Sequence, residues 1–259
     1  MWSFQIDPVL FHVGFLEVRY YGIIYAFGFL LALYFLMKAR HKIGLSKDDT
    51  YDLVFYLMIG DVVGARLFHV LFWEPAYYFA NPLKILYVWE GGLAFHGGLV
   101  GLLIAGYWFS KKKNFSFLKM ADVLTVPALI GLAFGRIANF INGELVGTMT
   151  TVSWCVNTGD DLCRHPYVLY SAAKRFAIAG LIFFLQKKDE YKEGFLFLLM
   201  LLLLGIGRFF LDYMREDVRY FSLSMGQWMS LVMFLIAGVL LLKNYRLDLR
   251  KIFKGFFFV

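Results

Sequence analysis

The stretch Gly131-Leu-Ala-Phe-Gly135-Arg136-Ile-Ala-Asn139-Phe-Ile-Asn142-Gly143-Glu144-Leu-Val-Gly147 ends an apolar run that begins near residue 121. The run is long enough to cross a bilayer as a helix. It nevertheless carries a guanidinium and two amides near its end. A charge in hydrocarbon is costly, so it faces a protein interior or a wet cavity and marks a functional path. A second apolar stretch holds Glu90-Gly-Gly-Leu-Ala-Phe-His96-Gly97-Gly98-Leu-Val-Gly101. Together the two motifs point to an intramembrane site for something anionic.

The rest of the chain agrees with a membrane. Of 259 residues, 60% are hydrophobic and only 17% charged, with five prolines. Apolar runs of about 20 residues recur throughout. Seven spans are expected at roughly 20–38, 52–73, 93–110, 121–141, 167–186, 194–213 and 226–243. The longest polar interval, about 142–166, is too short to build its own core. The expected fold is therefore an all-α membrane protein of about seven transmembrane helices. It is read as one polytopic domain over 1–259, with a small extracytoplasmic loop region at about 142–166. The first 19 residues carry Asp7 and Glu17 and no basic n-region, so they do not read as a cleaved signal peptide. They read as an extramembrane or interfacial segment.

Lys and Arg set the orientation. Lys38, Arg40, Lys42 and Lys47 follow span one, Lys111, Lys112, Lys113 and Lys119 follow span three, and Lys187, Lys188 and Lys192 follow span five. Lys243, Arg246, Arg250, Lys251 and Lys254 lie in the tail. The alternate loops are poorer in cations. The positive-inside rule then places the N-terminus outside and the C-terminus in the cytoplasm. The net charge of +7 is accounted for by these clusters, which argues against nucleic acid as a partner. Tyr20, Tyr21, Trp73, Tyr77, Tyr78, Tyr87 and Trp89 form an interfacial belt, and the Pro-interrupted segment Pro75–Trp89 lies along the interface. Cys155 and Cys163 share the polar loop, so a disulfide follows if that loop is extracytoplasmic. Neither cysteine sits in a pattern typical of zinc ligands, and no metal is expected.

The GxxxG spacings at Gly60…Gly64, Gly97…Gly101, Gly131…Gly135 and Gly143…Gly147 permit close helix contact. Packing within the bundle is the plain reading of them. Arg136 and Asn139 share a helix face, and Asn142-Gly143 marks the helix end. Arg suits phosphate because its planar fork donates paired hydrogen bonds. The alternative is a structural Arg136 paired with Glu144 or Asp61. Arg208, Asp212, Arg215 and Arg219 follow helical spacing along one stripe, with Arg208 deep and beside Gly205 and Gly207. His96 has glycines that let a backbone or a substrate come close. A neutral imidazole there would serve as base or acceptor; a hydrogen-bonded structural role is the alternative. Asp61 and Arg66 are read as a buried counter-charge pair. No GxxxxGK[ST], HExxH or GxSxG is present.

These residues resemble a known family. Tyr20-Tyr21-Gly22-Ile-Ile-Tyr25, Gly91-Gly92-Leu-Ala-Phe-His96-Gly97-Gly98, Gly135–Glu144, Arg164-His165-Pro166-Tyr-Val-Leu-Tyr170 and Gly207-Arg208 are similar to motifs of the prolipoprotein diacylglyceryl transferases. The resemblance covers most of the chain. It implies a bacterial inner-membrane enzyme that moves a diacylglyceryl group from phosphatidylglycerol to the lipobox cysteine thiol of a prolipoprotein signal peptide. It also implies catalysis without a cofactor, with membrane lipid and the prolipoprotein as partners. By the same resemblance, His96, Arg208 and Tyr21 are catalytic, while Arg136, Asn139, Asn142, Glu144, Gly147, Gly97 and Gly98 bind substrate. The chain departs from the family pattern at Ser171 and Asp212, where the family usually has Glu, and at Leu204, where it usually has Tyr. A divergent paralogue, or an anion or lipid transporter using the same arginines, is the competing reading.

Overall fold

The computed structural model describes residues 2–3, 6–14, 16–157, 160–188 and 190–257. Long helices dominate it: α1 (Tyr20–Ile43), α2 (Lys47–Phe72), α4 (Phe95–Lys112), α5 (Phe117–Ile141), α6 (Tyr167–Lys188), α7 (Phe195–Leu211) and α8 (Met225–Asn244). A short α3 (Pro75–Ala80) and a terminal α9 (Arg246–Phe257) complete the set. Each of the seven expected spans coincides with one long helix. Six of these are long and apolar enough to cross a membrane; α4, of 18 residues, ends in Lys111 and Lys112. The chain is an all-α, multi-pass membrane protein.

Helix α2 begins five residues before the expected span. Ser46 caps it: its hydroxyl accepts from the Asp49 amide at 3.0 Å, while the Asp49 carboxylate reaches back to the Ser46 amide. This capping box satisfies exposed first-turn donors and lets the helix continue into polar sequence. Small strands accompany the helices. β2 (Val9–Val13) and β3 (Leu16–Arg19) form an antiparallel hairpin before α1. β1 (Trp2–Ser3) runs parallel to β4 (Val156–Asn157), and β5 (Arg219–Tyr220) pairs with β6 (Leu223–Ser224).

The chain divides into two compact units, residues 1–31 with 121–259, and residues 32–120. In the first unit, Phe27, Phe134 and Phe176 meet edge to face in sequence, at centroid distances of 5.6 and 5.3 Å, joining α1, α5 and α6. The Asp122 carboxylate in α5 accepts from the amides of Gly194 and Phe197 at the start of α7. A carboxylate there meets the positive helix end. Gly205 in α7 packs against the Ser230 carbonyl and Phe234 of α8.

In the second unit, α2 and α4 approach at backbone distance through two glycine pairs. A Cβ on Gly64 would sit 2.4 Å from the Gly97 carbonyl oxygen, and one on Gly101 would sit 1.9 Å from that of Gly60. Packing is therefore what Gly60…Gly64 and Gly97…Gly101 do. The other two spacings behave differently. Gly131 faces Gly28 of α1, but nothing lies within 4 Å of a Cβ on Gly135. Gly143 lies beyond the end of α5 with φ +67°, so Gly143…Gly147 is not a helical stripe.

Candidate functional site

The end of α5 organises the first unit's polar cluster. Arg136 donates from Nη1 to Asn139 Oδ1 at 3.2 Å. The Asn139 amide donates to Glu144 Oε2 at 2.6 Å, and the Asn142 amide to Glu144 Oε1 at 2.9 Å. Glu144 thus fixes both amides, and among the described residues Arg136 is linked to it through Asn139. The turn that brings Glu144 back needs left-handed backbone at Gly143 and at Leu145, with φ +67° and +58°. The guanidinium and two amides expected at this end of the span lie together, and Glu144 joins them.

Gly147 follows in an extended segment clasped from both sides. The Thr148 amide donates to the Met214 carbonyl, the Glu216 amide to the Val146 carbonyl, and the His165 amide to the Thr148 carbonyl. A Cβ on Gly147 would stand 2.1 Å from the His165 carbonyl oxygen. Arg164, almost fully buried, donates to the Gly147 carbonyl at 3.1 Å and pairs with Asp160 and Glu216. Burial opposes ionisation of both Arg164 and Asp160, but their mutual hydrogen bond and attraction, with the Leu162 amide on Asp160 and Glu216 on Arg164, together outweigh it and hold Asp160 below the usual carboxylate range. Cys155 and Cys163 form a disulfide with Cα atoms 5.3 Å apart, closing the loop that presents Arg164 and His165.

Arg208 arrives from α7. Its Nε donates to Asp212 Oδ2 at 3.3 Å, and Tyr167 Oη donates to Asp212 Oδ1 at 2.5 Å. The Asp212 side chain is fully enclosed. Gly226 makes room for this pair, because a Cβ there would lie 2.5 Å from Asp212 and 2.8 Å from Arg208. The stripe expected from Arg208 to Arg219 stops here. Helix α7 ends at Leu211, a tight turn spans Asp212–Met214, and Arg219 belongs to β5. Arg215 instead pairs with Asp217 at 3.5 Å and lies over the Tyr167 ring.

Two further cations join this cluster from α6, Lys174 and Arg175. Arg136, Lys174, Arg175 and Arg208 interact electrostatically with one another and with Asp212. Neither Lys174 nor Arg175 belongs to the motifs that mark the site in the sequence, although both are charges in the middle of an apolar span. That depth was the available signal. Ser171, one turn earlier, accepts from Arg175 through both its carbonyl, at 2.8 Å, and its hydroxyl. A neutral acceptor therefore stands where the family pattern has a carboxylate, and the cluster keeps its positive excess. Leu204 makes no contact that explains its departure.

Of the remaining expected residues, Tyr21 belongs to the first unit, and His96, Gly97 and Gly98 to the second. Tyr21, exposed in the first turn of α1, stacks on Tyr25 with centroids 6.5 Å apart. His96 is exposed in the first turn of α4, with Phe68 at 6.3 Å and Phe95 at 5.7 Å between ring centroids. The close approaches that Gly97 and Gly98 allow are made by α2: Gly97 meets Gly64, and a Cβ on Gly98 would lie 2.2 Å from Asp61 Oδ1. The sequence suggests Asp61 as the partner of Arg66. Its five N–H donors instead go to the carbonyls of Lys84, Ile85, Tyr87, Gly91 and Gly92. Backbone dipoles compensate this buried guanidinium, and it pins the segment that leads to His96.

Comparison with known proteins adds to this geometry. The family model described as Prolipoprotein diacylglyceryl transferase matches residues 8–243. A phosphatidylglycerol–prolipoprotein diacylglyceryl transferase of Geobacter sulfurreducens is 39% identical over 241 residues, covering 90% of this chain and 93% of its own. Relatives of the same description from Bordetella parapertussis and Tolumonas auensis are 39% and 40% identical. Each aligns with 93% of this chain, over 97% and 96% of their own lengths.

Proposed function

The chain belongs to the prolipoprotein diacylglyceryl transferase family, and on that premise we propose that it transfers a diacylglyceryl group from phosphatidylglycerol to a prolipoprotein thiol. The acceptor is the lipobox cysteine of the signal peptide. Its sulfur bonds to the glyceryl carbon as the bond from that carbon to the phosphate oxygen breaks. The electron pair leaves on the phosphate, so glycerol phosphate departs and a thioether remains. The thiol proton goes to a base, for which His96 is the candidate. No redox step or added nucleotide is needed, because the phospholipid brings its own leaving group.

The observation that carries this reading is the cation cluster around Asp212. Charge concentrates on phosphate oxygens as the carbon–oxygen bond breaks. Guanidiniums already fixed in a water-poor site stabilise that charge without reorganising. Arg136 is assigned to the head-group phosphate and Arg208, steadied by Asp212, to the departing phosphate. Asn139, Asn142 and Glu144 hold Arg136 and the turn in place. Gly147 keeps the clasped segment flush with His165. Gly97 and Gly98 let α4 carry His96 close against α2, and Tyr21 is assigned a catalytic role at the start of α1. The site opens toward the extracytoplasmic side of a bacterial inner membrane, with the N-terminus outside and the C-terminus inside. The disulfide between Cys155 and Cys163 favours that side, where thiols are oxidised.

The test is lipidation of a lipobox peptide by the purified protein with phosphatidylglycerol. Wild-type protein should yield the thioether, and Arg136→Ala should lose roughly two to three orders of magnitude in rate while staying folded. Arg136→Lys should recover little, because an ammonium cannot reproduce the fork. A transporter would bind the lipid and form no thioether. Near-normal turnover by Arg136→Ala would remove Arg136 from the mechanism.

A further inference from the structure

We propose that Lys174 is an anion ligand of the cluster formed by Arg136 and Arg208, and that it fits the site to a phosphate bearing two negative charges rather than one. This deepens the transferase reading and rests on it only for the identity of the reaction. The phosphodiester of phosphatidylglycerol carries one negative charge, whereas the departing glycerol phosphate is a phosphomonoester able to carry two.

The argument begins with how the lysine is housed. The stem of Lys174 lies over Gly207 of α7, the residue next to Arg208. A Cβ on Gly207 would stand 2.4 Å from Lys174 Cδ and 3.3 Å from its Cε. The glycine therefore forms a trough that only a missing side chain provides. The trough seats the lysine against α7, beside Arg208. At its far end Nζ is buried and makes no hydrogen bond within the protein. Arg175 beside it is 7% exposed and has a buried Nε in the same condition.

An ammonium in such a place is costly unless something completes it. Among the described residues, Asp212 is the carboxylate whose charge acts on Lys174, and it is shared. Asp212 already accepts from Tyr167 and Arg208, and Ser171 offers Arg175 only neutral oxygens. Four cations in mutual repulsion thus await an anion. One monoanionic phosphate, held by Arg136 and Arg208, leaves Lys174 uncompensated; a second negative charge compensates it. A compact ammonium with three rotatable donors suits an oxygen whose charge grows during the reaction. A group that prefers the dianion favours the late stages of bond breaking over the bound donor, which is the condition for accelerating the step.

The experiment measures binding to the full-length protein in detergent, with phosphatidic acid and phosphatidylglycerol of the same acyl chains as probes. At pH 7.5 the wild-type protein should prefer phosphatidic acid by roughly tenfold, the value of one charge-assisted contact. At pH 5.5, below the second ionisation of a phosphomonoester near 6, the preference should vanish. Lys174→Met should abolish the preference at pH 7.5 while phosphatidylglycerol binding changes less than about twofold; Lys174→Arg should keep it. Lipid-free thermal stability of Lys174→Met should be unchanged or higher, because an uncompensated ammonium has been removed. Equal binding of both lipids by the wild type, or an unchanged preference in Lys174→Met, would overturn the proposal. So would a lowered stability with both lipids lost together, since that pattern marks a structural lysine. A wild-type protein that shows the preference but never lipidates a peptide would refute the transferase reading and leave this site standing.

Discussion

Replacing Arg66 by Ala separates a buried arginine that builds the fold from those that serve the site. Arg66 is 4% exposed, and its guanidinium donates at 2.9 Å to Ile85, 2.5 Å to Lys84, 3.1 Å to Tyr87, 2.5 Å to Gly91 and 3.1 Å to Gly92. Each bond from a charged donor is worth about 1.5–3 kcal/mol net when its loss strands a buried partner. The full sum does not apply. Gly91 is exposed and the other four acceptor residues are half-buried, so some of these carbonyls recover water on mutation, and removing the charge also removes its own desolvation cost. Two or three stranded carbonyls give an expected loss of roughly 3–5 kcal/mol. Detergent-solubilised Arg66→Ala should therefore unfold roughly 10 °C below wild type. The segment from Pro82 to Gly92 should become the first site of limited proteolysis. Arg66→Lys should rescue poorly, because one ammonium cannot serve carbonyls set around a planar fork. An unchanged melting temperature, with 82–92 still protected, would refute the claim that these bonds hold the segment. Arg136 gives the contrast: its one hydrogen bond to Asn139 predicts a loss of rate with little loss of stability.

The other expectations follow from the same geometry. His96→Gln should slow lipidation strongly, with a residual rate that rises with pH as more free thiolate forms; a folded variant with wild-type rate at every pH would remove His96 from the mechanism. Cys155→Ser should open an eight-residue closure and cost about 2–3 kcal/mol in unfolding measurements, with Arg164 and His165 loosened in hydrogen exchange. Asp160, held below the usual carboxylate range by Arg164, contributes stability to that loop above its unfolded pKa of 3.8, and the contribution fades as acidification passes through the lower folded value. Exchange at the Leu162 amide, which donates to Asp160, should report this, and Asp160→Asn should abolish the pH dependence. For orientation, a cysteine at Met149, 69% exposed, should label from outside and one at Lys113 from the cytoplasm. Gly147 is unsuitable as a reporter because a side chain there meets His165.

Much of the architecture was legible because it depends on local properties. An apolar run must become a helix in hydrocarbon, whatever its neighbours are, because its backbone groups have no other partners. That logic placed the seven long helices from residue order alone. It also found the polar end of α5, where Arg136, Asn139, Asn142 and Glu144 are close in sequence and turn chemistry joins them. The early start of α2 was equally local, but the apolar-length rule stops at charges that a capping box absorbs. Tertiary structure decided the rest. Arg66 bonds to carbonyls 18–26 residues away, and Gly147 nests against His165. Lys174 and Arg175 join Arg208 only because α6 packs on α7 at Gly207. The sequence states which charges are buried. Which of them converge depends on how the helices cross, and that is fixed by side-chain and backbone fit between distant segments.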